Sequence, residues 1–115
     1  PFQYASDNES LSVTDGSGYS LTNPGSIASL PIIKINGSGA GSLTVNGNSV
    51  FFSGIDDSVI LNSEIQETYK DTGSELINKS FTKTGDFPIL LPGENTISFS
   101  ENIASLEITP NWRWL

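Results

Sequence analysis

Between residues 43 and 52 the chain reads Leu43-Thr44-Val45-Asn46-Gly47-Asn48-Ser49-Val50-Phe51-Phe52, two β-rich runs on either side of an Asn-Gly pair. Asn and Gly accept the two positive φ values of a type I′ turn, whose twist matches that of right-handed strands, so a two-residue hairpin is expected here. The turn sets the register. Val45 lies opposite Asn48 and Leu43 opposite Val50, and Phe52 follows Val50 on the same face by the period of two. Leu43, Val50 and Phe52 then form one apolar face. Phe51 falls on the other, which implies a strand covered on both sides or a ring shielding a neighbour.

Turn chemistry punctuates the rest of the chain at similar intervals. Asn23-Pro24-Gly25 is a turn, with Pro presetting φ at its first central position and Gly supplying positive φ at its second, and a strand should follow. Pro31-Ile32-Ile33-Lys34-Ile35-Asn36 is that strand, closing on Gly37-Ser38-Gly39. Val59-Ile60-Leu61 begins the next strand. Ile65, Glu67 and Tyr69 either continue it or belong to a partner strand after a bend near Asn62-Ser63. A helix from Ser63 to Lys70, with Ser63 as N-cap and Gln66 at the capping-box position, would be only two turns long, and strand is the preferred reading.

Residues 71–86 are polar and turn-rich and read as an exposed loop interrupted by Leu76, Ile77 and Phe81. Pro92-Gly93 marks a type II turn between the apolar segment Phe87–Leu91 and a strand from Thr96 to Phe99. The last strand starts at Ser105 and places Leu106, Ile108, Pro110, Trp112 and Trp114 on one side. At the other end, Leu11 and Val13 alternate weakly within a polar stretch, as in a linker feeding an edge strand. Many short strands near ten residues apart, with no helix beyond two turns, imply an all-β fold. The expected architecture is an antiparallel two-sheet sandwich of the jelly-roll kind.

Composition narrows the chemistry. The 115 residues contain no Cys and no His, which excludes a disulfide framework, a Cys/His zinc site, a Ser-His-Asp triad and a Cys nucleophile. Thirteen acidic residues against five basic ones leave a net charge of −8, which repels phosphate backbones and acidic membrane surfaces, so neither nucleic acid nor membrane is an expected partner. No apolar run is long enough to span a bilayer, and no basic and apolar leader opens the sequence. The chain has no Met, and it is expected to be a piece of a longer protein.

Few side chains suggest a site. Asp56-Asp57 and the Glu64, Glu67 pair are the clustered carboxylates, but a glycosidase needs two carboxyl groups at a defined separation. Adjacent Asp residues after Gly54-Ile55 fit a turn, where their side chains bond nearby backbone. Trp112, Arg113 and Trp114 are candidates for a sugar-stacking platform, although large rings in register with Leu106 and Ile108 more often close a core or an interface. The sequons Asn36-Gly37-Ser38 and Asn78-Lys79-Ser80 carry no weight in so Ser/Asn-rich a chain. No catalytic, metal or cofactor residue is assigned.

One family resemblance emerges from the order of these motifs. Asn23-Pro24-Gly25, Pro31–Ile35 with Gly37-Ser38-Gly39, Leu43–Gly47, Ile60-Leu61-Asn62-Ser63-Glu64 and Tyr69-Lys70 are followed by Gly85-Asp86-Phe87-Pro88-Ile89-Leu90-Leu91-Pro92-Gly93-Glu94-Asn95-Thr96-Ile97. Ile108-Thr109-Pro110 and Trp112-Arg113-Trp114-Leu115 then close the chain. From Tyr19 to Leu115 this resembles the C-terminal domain of siphophage distal tail proteins. Ser98-Phe99-Ser100-Glu101-Asn102 departs from the family's Trp-Thr-Gly type turn, and Asn111 stands where a basic residue is common.

The resemblance implies a galectin-like β-sandwich over residues 19–115, with residues 1–18 as linker and edge strand from a preceding ring domain. It implies a structural, non-enzymatic virion protein at the tail tip of a phage or prophage of Gram-positive bacteria. The partners so implied are other baseplate and tail proteins, together with the chain's own N-terminal ring domain in a hexameric assembly. Two functions compete. One is docking of baseplate or receptor-binding proteins, and the other is a carbohydrate-binding module that contacts host cell-wall saccharides during adsorption. An enzyme ranks third.

Overall fold

The computed structural model describes residues 3–4, 11–14, 18–79, 82–100 and 102–114. Eleven strands are formed among them: β1 (Gln3–Tyr4), β2 (Leu11–Val13), β3 (Tyr19–Asn23), β4 (Ile32–Val45), β5 (Asn48–Asn62), β6 (Glu67–Asp71), β7 (Leu76–Asn78), β8 (Lys83–Thr84), β9 (Gly93–Phe99), β10 (Ile103–Thr109) and β11 (Arg113–Trp114). Every strand pairing among them is antiparallel. The all-β, antiparallel expectation holds.

The spine is the β4–β5 hairpin. Asn46 and Gly47 sit at φ 52° and 83°, the left-handed values a type I′ turn demands. Val45 pairs with Asn48 and Leu43 with Val50, and Leu43, Val50 and Phe52 are all buried. Phe51, opposite Ser42, is 56% exposed, so the strand is not covered on its second side at this position, although Ser58-Val59 and Leu61-Asn62 further along it are buried on both.

The hairpin is far longer than the turn chemistry suggests, at 14 and 15 residues per strand. Gly37-Ser38-Gly39 does not close a strand, because β4 runs through it. A Cβ on Gly37 would lie 2.4 Å from the Asn102 carbonyl oxygen, so the missing side chain serves close approach of two backbones rather than a turn. Pairing shifts register between Gly39 and Gly41, where Gly39 faces Ile55 and Gly41 faces Phe52. A bulge of this kind bends a strand and re-aims it. Ile32–Gly37 of β4 accordingly pairs with β10, while Leu43–Val45 pairs with β9.

Two wings share this spine. One has the order β2-β10-β4-β5-β6-β7, and the other joins β3 and β9 to β4 and sets β8 against β5. Ile33, Ile35, Leu61, Leu106 and Ile108 from the first wing cluster with Leu21, Leu43, Val45, Phe52 and Ile97 from the second in one apolar core. Truncating a side chain in such a core to Ala typically costs about 2–5 kcal/mol.

Other elements differ from expectation. Val59-Ile60-Leu61 ends β5 instead of beginning a strand, and Asp56-Asp57 lies inside β5 opposite Ser38 and Gly37, not in a turn. Ser63–Gln66 is a tight turn and Glu67–Asp71 is the partner strand, pairing Ile60 with Tyr69. Residues 71–86 are not an irregular loop. They hold β7, paired with β6, and β8, paired with β5. Phe81 lies outside the described residues. The strand expected from Ser105 onward is β10, which starts at Ile103 and stops at Thr109; buried Pro110 keeps the alternation of Leu106 and Ile108, Asn111 turns the backbone at φ 56°, and β11 then pairs with β1.

Candidate functional site

The carboxylates singled out in the sequence do not converge on a site. Asp56 is exposed, and its carboxylate lies 3.7 Å from Lys70 Nζ. Asp57 takes a left-handed φ of 69° beside it. Glu64 projects from the Ser63–Gln66 turn and Glu67 from β6, both exposed. No group of three or more acidic, His or Cys side chains able to hold a metal occurs among the described residues.

Trp112 is half-buried and packs against the core, continuing the stripe of Leu106 and Ile108. Asn111 fixes its approach by donating from Nδ2 to the Leu30 carbonyl at 3.0 Å. The side chains of Arg113 and Trp114 lie outside what is described.

The segment from Gly85 to Asn95 carries the densest polar construction. Ser63 Oγ donates to the Pro88 carbonyl at 2.7 Å, and Ser29 and Leu90 exchange backbone hydrogen bonds at 2.9 and 3.0 Å. Asn23 Nδ2 reaches the Leu90 carbonyl at 2.9 Å, while its Oδ1 accepts from Gly25 N–H at 2.7 Å; the side chain thus bends the chain at Asn-Pro-Gly, and Gly25 does not take the positive φ expected of it. Leu90 is fully buried and Phe87 packs on the core. Lys83 Nζ sits 4.0 Å from the centroid of the Phe87 ring and donates to the Gly85 carbonyl.

Asn95 ties the β3–β9 pair to the turn of the β4–β5 hairpin. Fully buried, it shares its Nδ2 hydrogens among the carbonyls of Leu91, Gly93 and Leu21 at 2.8, 3.1 and 3.2 Å. Its Oδ1 accepts from Leu91 N–H and from Asn46 Nδ2, both at 2.8 Å. Asn46 in turn accepts from Thr96 N–H at 2.9 Å. The hairpin turn and the Pro-Gly-Glu-Asn motif thus interlock, which no local reading of either motif reveals.

That scaffold holds Ile89 and Leu91 outward, 43% and 46% exposed, while Leu90 between them is buried. A groove of ≈ 400 Å³ runs beside them, with Phe87, Pro88 and Asn46 among its walls. A second groove, ≈ 350 Å³, is lined by Phe87 and Ile89 together with Ser63 and Lys83. A third, ≈ 380 Å³, lies on the β6–β7 hairpin and is lined by Glu67, Tyr69, Leu76 and Asn78 among others. Sequence reading missed these surfaces. The signal for the first two was the apolar run Phe87–Leu91, where alternation around a buried Leu90 leaves Ile89 and Leu91 outside. Comparison with protein-family models, curated proteins and solved structures gives no match to this chain.

Proposed function

We propose that this chain is the projecting C-terminal domain of a siphophage distal tail protein, a structural, non-enzymatic component of the tail tip. In this reading its two pairing wings form the sheets of a galectin-like sandwich, and its outer surface docks baseplate or receptor-binding proteins of a phage or prophage of Gram-positive bacteria. The ordered motifs from Asn23 to Trp114 motivate the family. The observation that carries the docking role is the rigid presentation of Ile89 and Leu91. Two aliphatic side chains stand exposed beside a groove on a segment anchored by Asn23, Ser29, Ser63 and Asn95. Pre-organised apolar anchors of this kind suit a stable interface, because little side-chain and loop entropy remains to be lost on binding.

The test is co-expression with the tail proteins encoded beside it, followed by size-exclusion chromatography. A stable complex is expected, and Ile89→Asp combined with Leu91→Asp should abolish it while leaving the melting temperature nearly unchanged. Failure to form a complex with any of these proteins, or a complex indifferent to both substitutions, overturns the reading.

A further inference from the structure

The β6–β7 hairpin carries a groove that the docking reading does not use. Glu67 and Tyr69 alternate onto one face of β6, and the register Tyr69↔Asn78 and Asp71↔Leu76 brings Leu76 and Asn78 of β7 onto that same face. The half-buried Tyr69 ring and the Leu76 chain, 65% exposed, supply an apolar floor. Glu67, Gln66 and Asn78 supply a polar rim. Asn62 Nδ2 lies 3.4 Å from the Tyr69 hydroxyl and holds the ring in place from the neighbouring strand.

An open groove of ≈ 380 Å³ with one aromatic floor and a rim of carboxamides and a carboxylate matches an amphiphilic ligand of modest size. A pyranose is such a ligand. Its C–H face packs on an aromatic ring, and its hydroxyls both donate to a carboxylate and accept from amides. Charge then selects among saccharides. Glu67 is in the groove, Glu64 is three residues away, and the whole chain carries −8, so a phosphodiester or uronate polymer is repelled. We infer that the β6–β7 groove binds a neutral saccharide, with Tyr69 as the stacking residue and Glu67 and Asn78 as hydrogen-bonding residues. This site goes beyond the docking reading and does not rest on it.

The experiment is an NMR titration of the 15N-labelled chain with lactose, maltotriose and chitotetraose as neutral probes, and with polyglycerol phosphate as the anionic probe. At least one neutral probe should move the amides of Glu67, Tyr69 and Asn78 saturably at concentrations up to about 10 mM. Tyr69→Ala should weaken that binding by tenfold or more, and Tyr69→Phe by no more than threefold. Glu67→Ala, an exposed substitution that leaves the fold intact, should weaken it severalfold. The absence of shifts with every neutral probe overturns the inference, as does unchanged binding by Tyr69→Ala and Glu67→Ala. Equal binding of polyglycerol phosphate at these residues overturns the charge selection, and shifts confined to the surroundings of Trp112 overturn the location. The chain substituted at Ile89 and Leu91 should bind the neutral probe as the parent does, so docking and saccharide binding fail separately.

Discussion

Asn95 shows how much a single polar side chain can organise when it is buried and every one of its hydrogen-bonding groups is satisfied. Removing a partner from buried polar groups costs about 1–3 kcal/mol for each group left unpaired, so Asn95→Ala, which strands Leu91 N–H, the Leu21 carbonyl and Asn46 Nδ2, should destabilise the domain by about 2–4 kcal/mol in urea unfolding. Glycines make a second residue-scale contrast. Gly37→Ala should cost about 1–3 kcal/mol because the new methyl meets the Asn102 carbonyl, whereas Gly54→Ala, with nothing within 4 Å and no left-handed φ, should change stability by less than about 1 kcal/mol. Equal melting temperatures for the two variants would remove close approach as the reason for Gly37. Trp112→Ala should cost about 2 kcal/mol, less than the roughly 3–5 of a fully buried ring, since Trp112 is only half-buried.

At the scale of elements, the β4–β5 hairpin and the β6–β7 hairpin stand at opposite ends of a stability gradient. β4 is paired on two sides over most of its length and β5 near both of its ends, and both feed the core, while β7 ends its wing and all three of its residues are exposed. Amides of Ile33, Ile35, Leu61 and Val59 should therefore exchange with solvent slowest, near the limit of global unfolding, and those of Leu76 and Ile77 fastest among the strands. Comparable protection across both hairpins would contradict this ordering. Strand boundaries also show what local signals miss. Gly37-Ser38-Gly39 reads as a stop because glycine clusters usually end strands, yet the same residues sustain β4 by admitting the Asn102 backbone. Leu76 and Ile77 read as interruptions of a loop because three residues give too short a period to recognise, and β3 shows only the alternation of Tyr19, Leu21 and Asn23, the last of them a polar residue buried by its bonds to the Leu90 and Ile27 carbonyls.

For the molecule as a whole, charge and topology set the measurable behaviour. A net charge of −8 on 115 residues opposes compaction, so moderate NaCl, which shortens the Debye length to about 8 Å at 0.15 M, should raise the melting temperature relative to low salt. A fall in melting temperature over that range would mean that favourable pairs such as Lys34–Glu107 and Lys70–Asp56 outweigh the repulsion. Strands far apart in sequence meet throughout, as when Tyr19 pairs with Ile97 and Leu11 with Ile108. Chain entropy lost before such contacts form places folding in the millisecond-to-second range typical of all-β domains, roughly 10³-fold slower than small helical bundles.

The hairpin at Asn46-Gly47, its register and the all-β, antiparallel class were determined by the sequence itself. Positive φ, fixed φ and the period of two are properties of single residues and their immediate neighbours, and they survive in any context that lets the strands pair. Tertiary structure alone decided that β4 and β5 each run unbroken through a bulge, that Asn46 and Asn95 meet, and that Tyr69 and Asn78 face one groove. Those outcomes depend on which distant backbone approaches which glycine and on which buried polar atom finds a partner some fifty residues away, and such contacts leave no mark on the local pattern that the sequence displays.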